Sequence, residues 1–306
     1  MAAGRGPRSR FSPVAIVERY GLYLLTLISP ALSSRVSYWR RRGEWINLKH
    51  PATFYEKLQW LKLYVYRRDP LVAQCADKLR VRDYVRDCGL GDLLNELYGS
   101  YKRAGQVPWD ALPPRFALKW NFGSGMNIVC ADAAQLDRRA ARRQMRRWGF
   151  SKCWLLYAET HYGKIPRRIL LEKYLATDQG ALPNDYKIYC FHGVARCVLV
   201  AANRDEHARF AVMTPDWRLL GGHKGRPLPE QLEKPACLPE MLRAAEILSA
   251  PFPFVRVDFY AVDGRPVFGE MTFTPGAAIF CANVPIDGVP MGDLIRLPER
   301  AGRRRA

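Results

Sequence analysis

The chain is 306 residues long and 48% apolar, with 48 basic against 29 acidic residues and a formal net charge of +19. That apolar share can bury one large core or two smaller ones and excludes an intrinsically disordered chain. The positive charge points to anionic partners, but nucleotides, acidic glycans, nucleic acid and anionic lipid satisfy it equally. Part of the excess sits in MAAGRGPRSR at the start and ERAGRRRA at the end, which read as solvated tails. The eight cysteines form no CxxC pair and no zinc-like spacing with the five histidines, so reduced thiols in a cytosolic protein are expected.

In chain order, the first apolar run is GLYLLTLISPAL. Its length of about twelve residues falls short of the roughly twenty that span a bilayer. It also lies behind Glu18 and Arg19, unlike a signal peptide. A buried helix is expected, with peripheral contact to an anionic membrane surface as the alternative, because Arg35, Arg40, Arg41 and Arg42 follow closely. Thr53-Phe54-Tyr55-Glu56 spells a capping box, and Phe54, Leu58, Leu61 and Val65 then recur at helical spacing. Leu79, Val81 and Val85 suggest a second helix that stops at Gly89. After Pro113-Pro114, the run Phe116 to Trp120 reads as a strand entering a glycine-bearing turn. Asp132 is expected to cap a third helix, whose outer face carries Arg138, Arg139, Arg142, Arg143, Arg146 and Arg147 as a solvated surface. Strands are expected over 168–175 and 185–191, with His192-Gly193 turning the latter into 195–202. Pro239 suits a first helical position, and Met241, Leu242, Ala245 and Leu248 form a stripe that would cover one face of a sheet. Helices first, then a mixture, then mostly hairpins argue for an α+β fold rather than a regular parallel α/β sheet.

Four stretches carry candidate chemistry. Lys119 ends a strand directly before the loop Gly123-Ser124-Gly125, whose backbone amides could approach phosphate oxygens while the lysine supplies a point charge. A plain turn explains the glycines as well, and the order matches neither a Walker A loop nor a dinucleotide fingerprint. Glu172-Lys173-Tyr174-Leu175 closes an apolar strand and runs into a linker where a purine could stack; a solvated strand end is the alternative. Asp185 and Lys187 leave one face of their strand. The most informative stretch is VRVDFYAVDGRPVFGEMTF, a hairpin in which Asp258 and Glu270 interrupt apolar strands. A two-residue Asp263-Gly264 loop would set Asp258 opposite Gly269 and send Glu270 to the other face. A three-residue loop with Val262 instead puts Arg256, Asp258, Glu270 and Thr272 on one face, and this odd loop is the one expected. Two adjacent carboxylates need a hard cation, protonation or an ion pair with Arg256 to offset their repulsion. Arg256 and Tyr260 stand near enough to that cation to contact substrate, and Arg256 joins Lys119 and Lys187 as a candidate catalytic residue.

From about Asn47 to Pro290 the chain resembles the TupA-like ATP-grasp family, associated with teichuronopeptide and other surface polysaccharide synthesis. The resemblance rests on PATFYEKLQWLKLY, ADKLRVRDYV, LPPRFALKWNFGSG, LLEKYL, NDYKIYCFHG and RVDFYAVDGRPVFGEMTFTPGA. It implies an ATP-grasp fold, two α+β subdomains holding ATP between them, behind a helical extension. The implied division is 1–46 basic tail and apolar helix, 47–108 helical region, 109–175 first grasp subdomain, 176–292 second subdomain with the metal hairpin, and 293–306 basic tail. By the resemblance, Lys119 contacts phosphate and Gly123, Ser124 and Gly125 belong to the loop that closes over the nucleotide. Glu172, Lys173, Tyr174 and Leu175 lie along the adenine hinge, and Lys187 reaches the phosphates from the second subdomain. Asp258 and Glu270 are the implied Mg²⁺ ligands, with Mn²⁺ as a substitute ion. Thr272 takes the place of the further asparagine ligand, and Phe122 stands where related sequences have histidine.

The implied activity is an ATP-dependent carboxylate–amine ligase that forms an acyl phosphate on a uronic acid, glycan or amino-acid substrate. Its expected place is the cytoplasm, at the inner face of the membrane. The competing readings are a glycosyltransferase of polysaccharide synthesis, which would need an Asp-rich loop after a strand, and a non-catalytic anion- or membrane-binding module resting on the charge alone. No DNA-reading motif is present, and no specific nucleic-acid partner is expected.

Overall fold

The computed structural model describes residues 13–177, 180–202, 208–223 and 227–299. Apart from Glu299, the basic tails lie outside the described residues, as do Asp178 and Gln179 of the linker. Two helices open the chain, α1 (Pro13–Ile28) and α2 (Pro30–Arg42). Ser29 separates them: it is extended, its hydroxyl accepts from the Leu32 amide, and Pro30 begins the second helix without needing a donor. The capping box forms as expected, with Thr53 and Glu56 reciprocally bonded at the start of α3 (Phe54–Leu61). A π-helical turn over Lys62–Tyr66, α4 (Pro70–Cys75) and α5 (Val81–Asp87) follow, and Gly89 leaves the helical region at φ +74°.

Two antiparallel sheets come next. The first contains β1 (Leu97–Tyr101), β2 (Phe116–Trp120), β3 (Asn127–Cys130) and, after α6 (Arg138–Gly149), β4 (Ile169–Lys173), in the spatial order β1-β4-β2-β3. This sheet takes in β1, which lies upstream of residue 109. The second contains β5 (Asp185–Phe191), β6 (Val194–Ala202), β7 (Arg209–Met213), β8 (Leu219–Gly222) and, after α7 (Leu238–Ser249), β9 (Phe254–Val262) and β10 (Arg265–Thr272), in the order β10-β9-β5-β6-β7-β8. The expected α+β class therefore holds. α7 buries Leu238, Met241, Ala245 and Leu248 on one face of the six-stranded sheet. From the N-terminal side, Phe54 packs edge-on to Phe254 at 5.4 Å, and the Tyr66 hydroxyl donates to the Phe254 carbonyl at 2.7 Å.

Three expectations need correction. Asp132 caps only the short turn Ala133–Gln135; the cap of α6 is Asp137, whose carboxylate accepts from the Ala140 amide. The six arginines of α6 are exposed, as expected. The helix expected to be buried at GLYLLTLISPAL instead turns much of its apolar surface to solvent, with Leu24 61% and Leu27 66% exposed, and the residue of this run that it buries is Thr26. The hairpin loop is the third. Val262 pairs with Arg265, so the turn has only two residues, with Asp263 and Gly264 at φ +51° and +73°. The parity that a three-residue loop would have supplied comes from a bulge at Gly269, after which Asp258 pairs directly with Glu270 and Arg256 with Thr272. Glycine is required there by crowding: a Cβ would sit 3.0 Å from the Asp258 carbonyl oxygen and 3.3 Å from the Tyr260 ring.

Gly269→Val is therefore expected to lower unfolding stability by about 1–3 kcal/mol. Chemical denaturation would read this as an earlier midpoint at unchanged slope, and an unaltered midpoint would show that the bulge tolerates a side chain.

Candidate active site

The six-stranded sheet assembles a row of charges. Lys187 on β5 pairs across the backbone with Asp258 on β9, which pairs with Glu270 on β10. Two residues along on the same face, Tyr189, Arg256 and Thr272 form the next row. Arg256 grips Asp258 with two prongs, Nε to Oδ1 at 2.7 Å and Nη2 to Oδ2 at 2.6 Å. Lys187 donates to Asp258 Oδ2 at 2.9 Å and to Asp185 Oδ2 at 2.5 Å. The Thr272 hydroxyl accepts from Arg256 at 3.1 Å and donates to Glu270 Oε1 at 3.3 Å. Glu270 Oε1 also lies 3.5 Å from Arg256, and Lys78 closes the set at 2.8 Å from Oε2.

The four-stranded sheet supplies the other wall. Lys119 Nζ is 2.8 Å from Glu172 Oε2, and Arg82 reaches Glu172 Oε1 at 3.8 Å while donating to the Asn95 carbonyl at 2.7 Å. The glycine loop after β2 is tied at its base by fully buried Asn121. Its side-chain amide donates to Asp77 Oδ1 and to the Pro166 carbonyl, and its oxygen accepts from the Arg168 amide. Beyond this clamp Gly123 and Gly125 adopt φ +69° and +72°, and the Gly123 carbonyl accepts from Lys78 at 2.9 Å. Lys78 thus links the loop of one sheet to the carboxylate of the other.

These walls enclose a cavity of about 200 Å³. Of the expected site residues, Lys119, Gly123, Ser124, Gly125, Glu172, Leu175, Lys187, Asp258 and Glu270 line it, and so does Tyr260. Lys173 and Tyr174 line an adjoining cleft of about 620 Å³ that shares Leu175; Lys173 pairs there with Glu96, and Arg115 lies over the Tyr174 ring. Arg256 and Thr272 stand behind the two carboxylates rather than on the cavity surface. Phe122 points into the core, 2% exposed against Trp120 and Arg167. Sequence reasoning missed Lys78, Arg82 and Asn95 and left Asp185 without a site role, although all four line the cavity. Arg82 had a usable signal: it sits beside Val81 and Val85 on the buried face of a helix, where a charge requires a partner.

The donor set fits magnesium shared with phosphates. Asp258 and Glu270 present hard oxygen donors on one wall, yet among the described residues no group of three acidic, histidine or cysteine side chains could hold an ion alone. Mg²⁺ is commonly bound in this way, by one or two carboxylates with the remaining ligands from phosphate and water. Burial opposes ionisation of Glu270, but Lys78, Arg256 and Lys187 outweigh it and hold the carboxyl at about 2. Burial would likewise lower Lys187, but Asp258 and Asp185 prevail and raise it. A depressed acid stabilises the fold above its unfolded pKa, about 4.3, and loses that contribution as pH falls through its folded value. The melting-temperature gap between wild type and Glu270→Gln should accordingly be widest above about pH 4.5 and close toward about pH 2; a gap independent of pH would remove the electrostatic account.

The sequence matches the family described as TupA-like ATPgrasp over residues 56–293. No curated protein matches the chain. Among solved structures, it is similar to an L-amino acid ligase from Bacillus licheniformis at 13% identity and TM-score 0.40, covering 68% of this chain and 45% of that one. It is also similar to a D-alanine–D-alanine ligase from Bacillus anthracis at 16% identity and TM-score 0.39, covering 65% and 57%. The ATP-grasp ligase PsnB, complexed with a minimal precursor, aligns at 15% identity and TM-score 0.41 over 78% of this chain and 65% of that one. The chain spans about half the length of the first two ligases. Two antiparallel sheets behind N-terminal helices form the ATP-grasp-like α+β fold, and with a match over most of its length the chain belongs to the TupA-like ATP-grasp family.

Proposed function

We propose that this chain is an ADP-forming carboxylate–amine ligase that uses ATP with Mg²⁺ on a uronic acid, acidic glycan or amino-acid substrate in polysaccharide or glycopeptide biosynthesis. The observation that carries this reading is the meeting, across one cavity, of the Lys187–Asp258–Glu270 row with Lys119 and the Gly123-Ser124-Gly125 loop. Five cations, Lys78, Arg82, Lys119, Lys187 and Arg256, surround four carboxylates, Glu172, Asp185, Asp258 and Glu270, so a polyanion can exchange for existing ion-pair partners. The reaction consumes ATP, and the proposed compartment is the cytoplasm.

A substrate carboxylate oxygen attacks the γ-phosphorus, the bond to the β–γ bridging oxygen breaks, and ADP leaves. An amine nitrogen then attacks the acyl carbon, the bond from that carbon to the phosphate oxygen breaks, and the departing phosphate takes up the proton that the amine loses. Lys119 and Lys187, on the two sheets bordering the cavity, balance charge on the phosphoryl group in flight. Mg²⁺, when bound to Asp258 and Glu270, supplies further neutralisation of the phosphates. Arg256 and Thr272 hold those carboxylates in orientation, and Arg256 is the third cation of the proposed machinery. Closure of the glycine loop would exclude water from the acyl phosphate.

Thermal unfolding with Mg·ATP, Mg·ADP and nucleotide sugars, each repeated with EDTA, tests this reading. At about a hundred times its dissociation constant Mg·ATP should add roughly 2.7 kcal/mol. Lys119→Met should reduce that shift, and Glu270→Gln should remove its dependence on magnesium. Selective stabilisation by a nucleotide sugar would replace the ligase with a sugar-transfer enzyme, and no response to any nucleotide would leave only a binding module.

A further inference from the structure

The helices α1 and α2 are inside out. Their inner face is largely polar: beside Tyr38, the side chains almost wholly excluded from solvent are Thr26, Ser33, Ser34 and Ser37. The Thr26 hydroxyl donates to the Leu155 carbonyl at 2.6 Å, and the Ser37 hydroxyl donates to that of Leu156 at 3.3 Å. The outer face is apolar. Val17, Tyr20, Leu24, Leu27 and Ile28 are 61–79% exposed and recur at three- and four-residue spacing, which makes one stripe along α1. Leu32 and Trp39 extend the exposed apolar surface onto α2, where Trp39 stacks on Trp45 with ring centres 5.4 Å apart. A helix at a protein surface ordinarily has the opposite polarity, and a contiguous exposed apolar face marks a site of interaction.

The charges around this face select the partner. Arg19, Arg35, Arg40, Arg41 and Arg42 are all exposed on the same two helices. The nearby acids are already engaged, Glu18 with Arg40 at 2.8 Å and Glu44 with Arg42 at 3.3 Å. Arg19, Arg35 and Arg41 make no ion pair among the described residues. Residues 1–12 add Arg5, Arg8 and Arg10 without an acid, and offer only Met1 and Phe11 as large apolar side chains to cover the stripe. A second copy of the chain would bring two arginine-rich faces together. Among the described residues no helix is long and apolar enough to cross a membrane.

We propose that the α1–α2 hairpin is an interfacial anchor that lies on an anionic lipid bilayer, with Leu24, Leu27, Ile28 and the stacked tryptophans at the headgroup boundary and the arginines on lipid phosphates. Apolar insertion and attraction to anionic headgroups each contribute to such binding, and the combination distinguishes it from adsorption by charge alone. The helices bury hydroxyls against the protein at Leu155 and Leu156, so the apolar face stays available without rearrangement of the fold.

The test is co-sedimentation of the full chain with phosphatidylcholine vesicles, alone or containing phosphatidylglycerol, at low and high salt. Wild type should pellet with the anionic vesicles and much less with the neutral ones. Replacing Leu24, Leu27 and Ile28 together by glutamine should weaken binding on the order of tenfold or more while leaving the melting temperature unchanged, because all three side chains are exposed. Replacing Arg19, Arg35 and Arg41 by glutamine should weaken binding at low salt and flatten its salt dependence. Wild type remaining in the supernatant with both vesicles, or the leucine–isoleucine variant pelleting like wild type, would overturn the proposal. So would light scattering that finds a dimer in wild type and a monomer in that variant, since the stripe would then belong to a second copy.

Discussion

Much of the candidate site depends on the two-pronged contact between Arg256 and Asp258. The Asp258 side chain is 3% exposed, and a carboxylate so nearly buried is tolerable only when charge-assisted hydrogen bonds replace its lost hydration. Arg256 provides two of these from the same strand, and Lys187 provides a third from the neighbouring strand. The network continues through Thr272 to Glu270 and through Lys78 to the Gly123 carbonyl. A charge set by one sheet is thereby connected to the loop of the other. Buried ion networks seldom stabilise a fold more than apolar packing of equal volume would, but removing one member leaves the rest uncompensated. Here the network fixes the positions of the two carboxylates at the cavity.

The β9–β10 hairpin shows how a single backbone feature decides whether those carboxylates meet. Asp263-Gly264 makes the shortest turn that suits the twist of the strands, and regular pairing from it would put Glu270 on the face away from Asp258. The extra residue at Gly269 reverses that parity within one strand. Its lack of a side chain lets the strand pass close to the Asp258 carbonyl. The two devices solve different problems, one the tightness of the reversal and the other the facing of the carboxylates. The expectation of a three-residue loop found the correct facing through the wrong residue, because face and register are separable wherever a bulge can form.

The N-terminal helices separate helical periodicity from burial. GLYLLTLISPAL has the apolar content of a core helix, and core is the ordinary fate of such a run. What places the stripe outside is the serine and threonine set on the other face, of which Thr26 and Ser37 find carbonyl partners at Leu155 and Leu156, more than a hundred residues away. No local pattern reveals whether such partners exist.

The sequence alone determined the elements whose causes are local. The capping box of α3, the strand β2 with its glycine loop, the His192-Gly193 hairpin and the apolar stripe of α7 follow from caps, positive-φ residues and periodicity within a few positions. It also singled out Lys119, Lys187, Asp258 and Glu270, because charges inside apolar strands are conspicuous, and the four line one cavity. Short strands such as β1, β3 and β8 escaped, since they bury few apolar side chains, whereas β2 of similar length buries four of its five residues. Lys78 and Arg82 escaped as site residues because their partners, Glu270 and Glu172, are remote in sequence. Tertiary structure alone decided the parity of the hairpin, the position of Lys173 and Tyr174 in a neighbouring cleft and the outward turn of α1. Each of these depends on which distant group approaches, and local propensity does not encode that approach.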